Sequence, residues 1–271
     1  MQETLTERQR REQEYHREFA RKNDERVDQD VARDIISDGP RRPWNAFWCM
    51  YDRILATGVA GKRVLIPGCG FGEDAIRLSY LQARVSAFDL SPEIVEIARK
   101  RAANLGVHGL DLQVMTAESL NYPDSFFDVV VFVDILHHVD ISATMREVRR
   151  TLKPGGMVIG DELYTYSAVQ RFRESRLVTR GLYPFMQRWI YSSDTPYITQ
   201  DERKINEHEF QVIRDSLLSC DTEYFGLFGG RLFPSSMTWA MRLDRLAIRA
   251  LGPAGPVLGG RVVFSGVIRK N

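Results

Sequence analysis

The stretch Arg63 to Asp74, RVLIPGCGFGED, constrains this chain more than any other. Val64, Leu65 and Ile66 form a short apolar run that reads as a buried strand, and Pro67 closes it. Gly68, Gly70 and Gly72 then alternate with Cys69 and Phe71, and a helical pattern follows through Ala75, Ile76, Leu78 and Leu81. Strand, glycine turn and helix make the first unit of a doubly wound α/β fold, whose ligands sit at the carboxyl ends of the strands. The glycines let the backbone approach a ligand with no Cβ in the way. A dinucleotide site wants its third glycine one position later, with pyrophosphate on the helix N-terminus. Here Glu73 holds that position and Asp74 follows it. Two carboxylates suit a helix N-terminus but repel a phosphate. A nucleoside ligand that carries positive charge and no phosphate fits better, and an NAD-dependent oxidoreductase is disfavoured.

The rest of the chain keeps the same alternation. A second strand, Arg84 to Phe88, ends at Asp89, 21 positions after Gly68. That is close to the roughly 20 at which an acid meets ribose hydroxyls in related folds. Ser91, Pro92 and Glu93 open the next helix as N-cap, N1 and first-turn acid. Leu110–Met115 reads as the third strand, and Phe126–Val133 as a fourth, almost continuously apolar, covered on both faces. A helix over Ile141–Leu152, a Lys153-Pro154-Gly155-Gly156 turn and a strand over Met157–Gly160 follow. Further on come a helix from Glu207 to Leu218, a strand from Thr222 to Leu227, a helix from Ser235 to Leu251 and a last strand from Arg261 to Arg269. Ahead of the glycine turn, Tyr15, Phe19, Val27, Val31 and Ile35 give the charged N-terminus a thin apolar face. Trp44, Phe47, Trp48, Tyr51, Ile54 and Leu55 then make an aromatic amphipathic helix against the sheet.

In order and spacing, five features together resemble the class I S-adenosylmethionine-dependent methyltransferases of the small-molecule branch. They are the glycine turn, Asp89, Thr116-Ala117-Glu118, Leu136-His137-His138-Val139 and Leu152-Lys153-Pro154-Gly155-Gly156. The resemblance covers Arg63 to Asp161. It implies a mostly parallel, seven-stranded Rossmann-like sheet and S-adenosylmethionine as cofactor. It also implies cofactor contacts from Gly68, Gly70, Gly72, Asp89, Leu90, Ala117, Glu118 and Val133. Tyr15, His16, Phe19 and Ala20 match the family's Tyr-His-x-x-Phe-Ala segment, which implies an N-terminal lid with Tyr15 on the cofactor. Thr116 stands where the family usually has an Asp for adenine, and Ile66 where it has an acid near the methionine amine. Glu73 or Asp74 is the candidate replacement for that acid. His137 and His138 fall at the ligand edge of the sheet and are the candidate catalytic groups, with Tyr15 and His16 in reserve. Asp134, Asp161 and Glu162, all near strand ends, would serve a metal-assisted catechol-type enzyme. Acids there are often helix caps, so no metal is expected.

The domains expected are a helical lid over residues 1–60, a core over 61–162 and 206–271, and an inserted cap over 163–205. The cap is dense in aromatics (Tyr164, Tyr166, Phe172, Tyr183, Phe185, Trp189, Tyr191 and Tyr197), which predicts an aromatic pocket over the methyl group. Leu246, Ile248, Leu251 and Val257 extend that apolar wall. The expected acceptor is therefore a small apolar or aromatic molecule. With 37 Lys and Arg against 36 Asp and Glu, no global field draws nucleic acid. Three scattered cysteines point to a reducing compartment. The charged N-terminus is no signal peptide, and no run approaches the roughly 18 apolar residues of a membrane span. A cytoplasmic enzyme without membrane insertion is expected. A non-catalytic cofactor-binding protein on the same fold is the alternative.

Overall fold

The computed structural model describes residues 5–173, 175, 176, 180, 204–229, 233 and 236–270. Its sheet has seven strands: β1 (Arg63–Pro67), β2 (Arg84–Asp89), β3 (Asp111–Val114), β4 (Phe127–Val133), β5 (Leu152–Leu163), β6 (Asp221–Phe225) and β7 (Arg261–Val267). The spatial order is β3-β2-β1-β4-β5-β7-β6. β7 runs antiparallel to both β5 and β6, and the remaining pairs are parallel. This is the mostly parallel, doubly wound sheet the sequence predicts. The chain steps outward from β1 to β3 and then returns to lay β4 beside β1. The crevice between those two strands is the topological switch point, where such sheets bind ligands.

Period-two alternation splits each central strand between two cores. Leu65, Val130, Phe132, Val158, Val262 and Phe264 face α5 (Ile141–Thr151) and α7 (Glu207–Asp215), through Met145, Val148, Phe210 and Ile213. Val64, Ile66, Val129, Val131, Ile159 and Val263 face α2 (Ala46–Thr57) and α3 (Glu73–Tyr80), through Met50, Tyr51, Ile54, Ala75 and Leu78. Each such side chain contributes roughly 1.5 to 3 kcal/mol on burial. β-Branched residues dominate because they suit a pleated, crowded surface.

The N-terminal segment is more than a solvated tail. Thr6 and Gln9 form a reciprocal capping box that starts α1 (Glu7–Lys22). Two 3₁₀ turns follow, and Val31 and Ile35 between and within them are buried in the main body. The predicted Lys153–Gly156 turn is instead the first part of β5. Leu152 pairs with Phe127, and the register slips before Val129 meets Met157. Asp128 sits at that slip, accepting from the Lys153 ammonium at 2.6 Å and the Arg63 amide at 2.8 Å. β5 also runs on to Leu163, because β7 pairs with it as far as Arg261.

The insertion after β5 leaves and returns at one place. The Ile205 amide donates to the Leu163 carbonyl, and the Thr165 amide to the Ile205 carbonyl. Its first aromatic, Tyr164, is core, packed edge-on against Phe210 and Tyr224. Phe172, on α6 (Ser167–Arg173), is exposed. Tyr183, Phe185, Trp189, Tyr191 and Tyr197 lie outside the described residues. Leu246 and Ile248 do not form the expected wall: on α8 (Thr238–Ala250) Leu246 is exposed and Ile248 is core.

Arg101, on α4 (Pro92–Asn104), is almost fully buried. Its guanidinium donates to the carbonyls of Gln29, Asp30 and Phe71 and to Glu73. One side chain thus ties the N-terminal segment to the glycine turn. Removing it leaves three carbonyls and a carboxylate short of a donor. Arg101→Met is expected to lower unfolding stability by about 3 kcal/mol, read by urea denaturation, and to open residues 23–36 to limited proteolysis.

Candidate active site

The glycine turn is held by the acid at the end of the next strand. The Gly70 amide donates to Asp89 Oδ2 and the Ser91 amide to Oδ1, both at 3.1 Å. Gly68 has φ +62°, and a Cβ there would fall 2.5 Å from Ile135. At Gly70, φ +51°, a Cβ would project into open space beside the turn. A cavity of about 370 Å³ opens there, in the size range of small-molecule sites. Gly68, Gly70, Asp89 and Leu90 line one side, Met115, Thr116, Ala117 and Glu118 the second, and Asp134, Ile135, His137 and His138 the third. α1 crosses over it with Gln9, Glu12, His16 and Phe19.

Three predicted residues do not line this cavity. Gly72 takes the left-handed N-cap of α3 and lets Ala98 of α4 approach, at 3.0 Å from where a Cβ would sit. Val133 borders an adjoining hollow, together with Ile66, Gly68, Glu73 and Asp74. Tyr15 misses the stripe 9, 12, 16, 19 that α1 turns inward, and stacks on Phe19 with ring centroids 6.3 Å apart. The two acids proposed for the methionine amine are already paired. Glu73 accepts from Arg101 and Arg26, and Asp74 from the Tyr51 hydroxyl at 2.5 Å and Arg77 at 3.0 Å.

Sequence reasoning missed the partners of the histidines. Buried Glu162 accepts from the Ile135 and Leu136 amides through Oε1, and its Oε2 lies 3.0 Å from His137 Nδ1. His138 Nδ1 lies 3.1 Å from Glu12 on α1. Burial works against the Glu12 charge, but the His138 hydrogen bond and the charges of His138, His16 and Arg8 hold its carboxyl below the usual range. α1 is also tied down by Arg8 to the His137 carbonyl, Gln9 to Glu118, Gln13 to the Leu90 carbonyl and Arg17 to Glu93.

A second cavity, of about 490 Å³, lies on the α2 side of the sheet and shares Asp134 and Leu163 with the first. Trp44, Phe47, Phe225 and Met241 give it apolar walls. Asp134 at its edge has φ +50°, a left-handed conformation rare for a non-glycine residue. Its amide donates to the Asp161 carbonyl, and its carboxylate takes both oxygens to Arg261 at 2.6 Å. Arg261 Nε donates to Asp161 Oδ1 at 2.8 Å. Among the described residues the buried Asp161 Oδ2 has no hydrogen-bond partner. Burial pushes the Asp161 carboxyl up to about 7 against the pull of Arg261, with Asp134 and Glu162 adding to the rise.

The three acids that a metal-assisted enzyme would use do not converge. Asp161 and Glu162 are neighbours on one strand and point to opposite faces. Among the described residues, Asp134, His137 and Glu162 have donor atoms within 4.8 Å of one another, a spacing a cation could use. Each already has protein partners: Arg261 on Asp134, and two backbone amides and His137 on Glu162.

The open approach at Gly70, the Asp89 carboxylate at the rim and the acidic surroundings fit a cationic nucleoside. Residues 65–160 match the family model described as a methyltransferase domain. The ubiquinone biosynthesis O-methyltransferase of Xanthomonas euvesicatoria is 38% identical over 125 residues, 44% of this chain and 52% of its own length. That of Xanthomonas oryzae is 33% identical over 159 residues, 55% of this chain and 66% of its own. The match therefore spans between about half and just under two thirds of these relatives. A geranyl diphosphate C-methyltransferase structure from Streptomyces coelicolor superposes with TM-score 0.56, at 15% identity, over 98% of this chain and 99% of the other. At that identity the likeness concerns the fold.

Asp89→Ala removes the brace of the glycine turn and the rim carboxylate together. It is expected to weaken S-adenosylhomocysteine binding by about 1 to 3 kcal/mol, measured by calorimetry, and an unchanged affinity would exclude Asp89 from the site.

Proposed function

We propose that this chain, whose residues 65–160 form a class I S-adenosylmethionine-dependent methyltransferase domain, transfers a methyl group to the hydroxyl of a small aromatic or apolar molecule. The observation that carries this reading is the pair of cavities meeting at Asp134 and Leu163, one on the glycine turn and one with aromatic walls and a charged edge. A group-transfer enzyme needs two sites that share a wall. Gly68, Gly70, Asp89, Leu90, Ala117 and Glu118 would hold the nucleoside. The adjoining hollow by Ile66 and Val133 would take its amino-acid end. Bound there, the cofactor supplies an electrophilic methyl on a sulfonium that keeps the bonding pair when the carbon leaves. The protein's task is then chiefly to align acceptor and methyl carbon. Oxygen is the preferred acceptor atom because the relatives that match are named O-methyltransferases.

The two histidines stand on the cofactor side. With Nδ1 of His137 on Glu162 and Nδ1 of His138 on Glu12, we read them as holding the cavity floor and α1. α1 would act as the lid, with Glu12 and His16 rather than Tyr15 facing the cofactor. Among the described residues no helix is long and apolar enough to cross a membrane.

The test is calorimetry with S-adenosylhomocysteine, followed by transfer of labelled methyl from S-adenosylmethionine to a panel of phenols, amines and enols. Micromolar binding with transfer to phenols is the expected result. Binding with no transfer across the panel would make this a cofactor-binding protein that does not catalyse. No binding would overturn the reading altogether.

A further inference from the structure

Within the methyltransferase reading, we propose that the acceptor lies in the cavity between α2 and the ends of β4–β7, and that Asp161 receives its hydroxyl proton. The cavity is walled by Trp44 just ahead of α2, Phe47 in its first turn, Phe225 from β6 and Met241 from α8. These are flat or adaptable apolar surfaces suited to a ring. The sequence placed the aromatic pocket in the insertion after β5. From that insertion, the described residues that reach the cavity are Leu163 and Lys204, at its two ends.

The polar edge of the cavity is short of one hydrogen bond. Arg261 reaches both oxygens of Asp134 through Nη2 and Asp161 Oδ1 through Nε, and among the described residues the buried Asp161 Oδ2 has no partner. An unpaired buried carboxylate oxygen is costly, so its persistence calls for a partner. Asp244, which also lines the cavity, is not in the same position. Its carboxylate accepts from the Gly226, Phe228 and Gly229 amides and shapes the turn after β6. A hydroxyl on a bound ring supplies what Oδ2 lacks.

The position is right for the chemistry as well. Asp134 borders both cavities, and its backbone amide is bonded to the Asp161 carbonyl, so the wall between donor and acceptor is built on Asp161. As the acceptor oxygen takes the methyl carbon, its proton passes to Oδ2 and leaves for water with the product. The charged and titratable groups around Asp161 are Arg261 from β7, Asp134 after β4, Glu162 on its own strand, and Asp244 and Lys204 across the cavity. Arg261 favours the carboxylate and the acids oppose it. The carboxyl, pushed up to about 7, is matched to taking a proton near neutral pH.

The probe is catechol, with phenol and 4-hydroxybenzoate beside it. Wild-type protein saturated with S-adenosylhomocysteine is titrated with each by calorimetry, and methyl transfer to each is followed from pH 6 to 9. Two variants separate the roles. Asp161→Asn keeps the shape and the contact to Arg261. Met241→Trp fills the cavity from its far wall. Both are expected to bind S-adenosylhomocysteine within about twofold of wild type, which also reports that they fold. Asp161→Asn should lose about 100-fold or more in kcat and flatten the rise of rate through pH 7. Met241→Trp should abolish catechol binding. If Asp161→Asn keeps wild-type turnover across the pH range, Asp161 is not the base. If Met241→Trp binds and methylates catechol normally, the acceptor lies elsewhere. If wild-type protein takes up S-adenosylhomocysteine but neither binds nor methylates any of the three phenols, the acceptor class is wrong and the inference falls. Failure to bind S-adenosylhomocysteine would instead sink the methyltransferase reading beneath it.

Discussion

Two consecutive acids at the end of β5 organise both cavities. Strand geometry sends neighbouring side chains to opposite faces, so Glu162 enters the α1 side and Asp161 the α2 side. Glu162 captures the Ile135 and Leu136 amides and the His137 ring, which fixes the segment that leaves β4. Asp161 captures Arg261, which in turn grips Asp134 at the first residue beyond β4. The same short loop is therefore pinned from both sides of the sheet. Without that double hold, a non-glycine residue at φ +50° would relax toward ordinary backbone values, and the wall between the cavities would go with it.

The arrangement is expensive. Both acids are buried, and burial alone favours their neutral forms. Glu162 meets two amides and a histidine, so both of its oxygens have protein partners in place of water. Asp161 is only half answered, and its carboxyl rises accordingly. The two neighbours thus meet different partners because of their faces. A buried carboxyl raised in this way at the edge of a cavity is a mark of sites that handle protons.

Much of this was legible in the sequence. The RVLIPGCGFGED turn, the acid at Asp89 and the apolar run of β4 are local signals, and each describes its own surroundings. Asp89 could be found because a fixed spacing relates it to Gly68. The partners could not be found that way. Arg261 lies 100 residues from Asp161 and 127 from Asp134, and Glu12 lies 126 from His138. No periodicity encodes such pairs; only the return of β7 to β5 and of α1 to the sheet creates them. The Lys153–Gly156 stretch misled for a related reason. Its Pro-Gly-Gly composition favours a turn locally, while the edge of β4 and the Asp128–Lys153 contact draw it into the strand. Tyr15 was chosen by motif. The helix places 9, 12, 16 and 19 on one face, and a tyrosine one step off that stripe packs on its neighbour.

How α1 is attached differs along its length. At its C-terminal end Ala20 and Phe19 pack with Phe71, Ile94 and Ile97 in a small apolar cluster. Its N-terminal half is held instead by side-chain hydrogen bonds from Arg8, Gln9, Glu12 and Gln13. Water can replace those bonds, at a net cost of about 0.5 to 1.5 kcal/mol for Gln13 and about 1.5 to 3 kcal/mol for the three that involve an ionisable group, whereas exposing the apolar cluster has no such compensation. α2, by contrast, buries Met50, Tyr51 and Ile54 against the sheet and cannot leave without dismantling a core. The two cavities are therefore bounded by helices attached in different ways. The one on the glycine turn is crossed by a helix whose N-terminal half is held by polar contacts, and the one beneath Trp44 and Phe47 by a helix held through an apolar core.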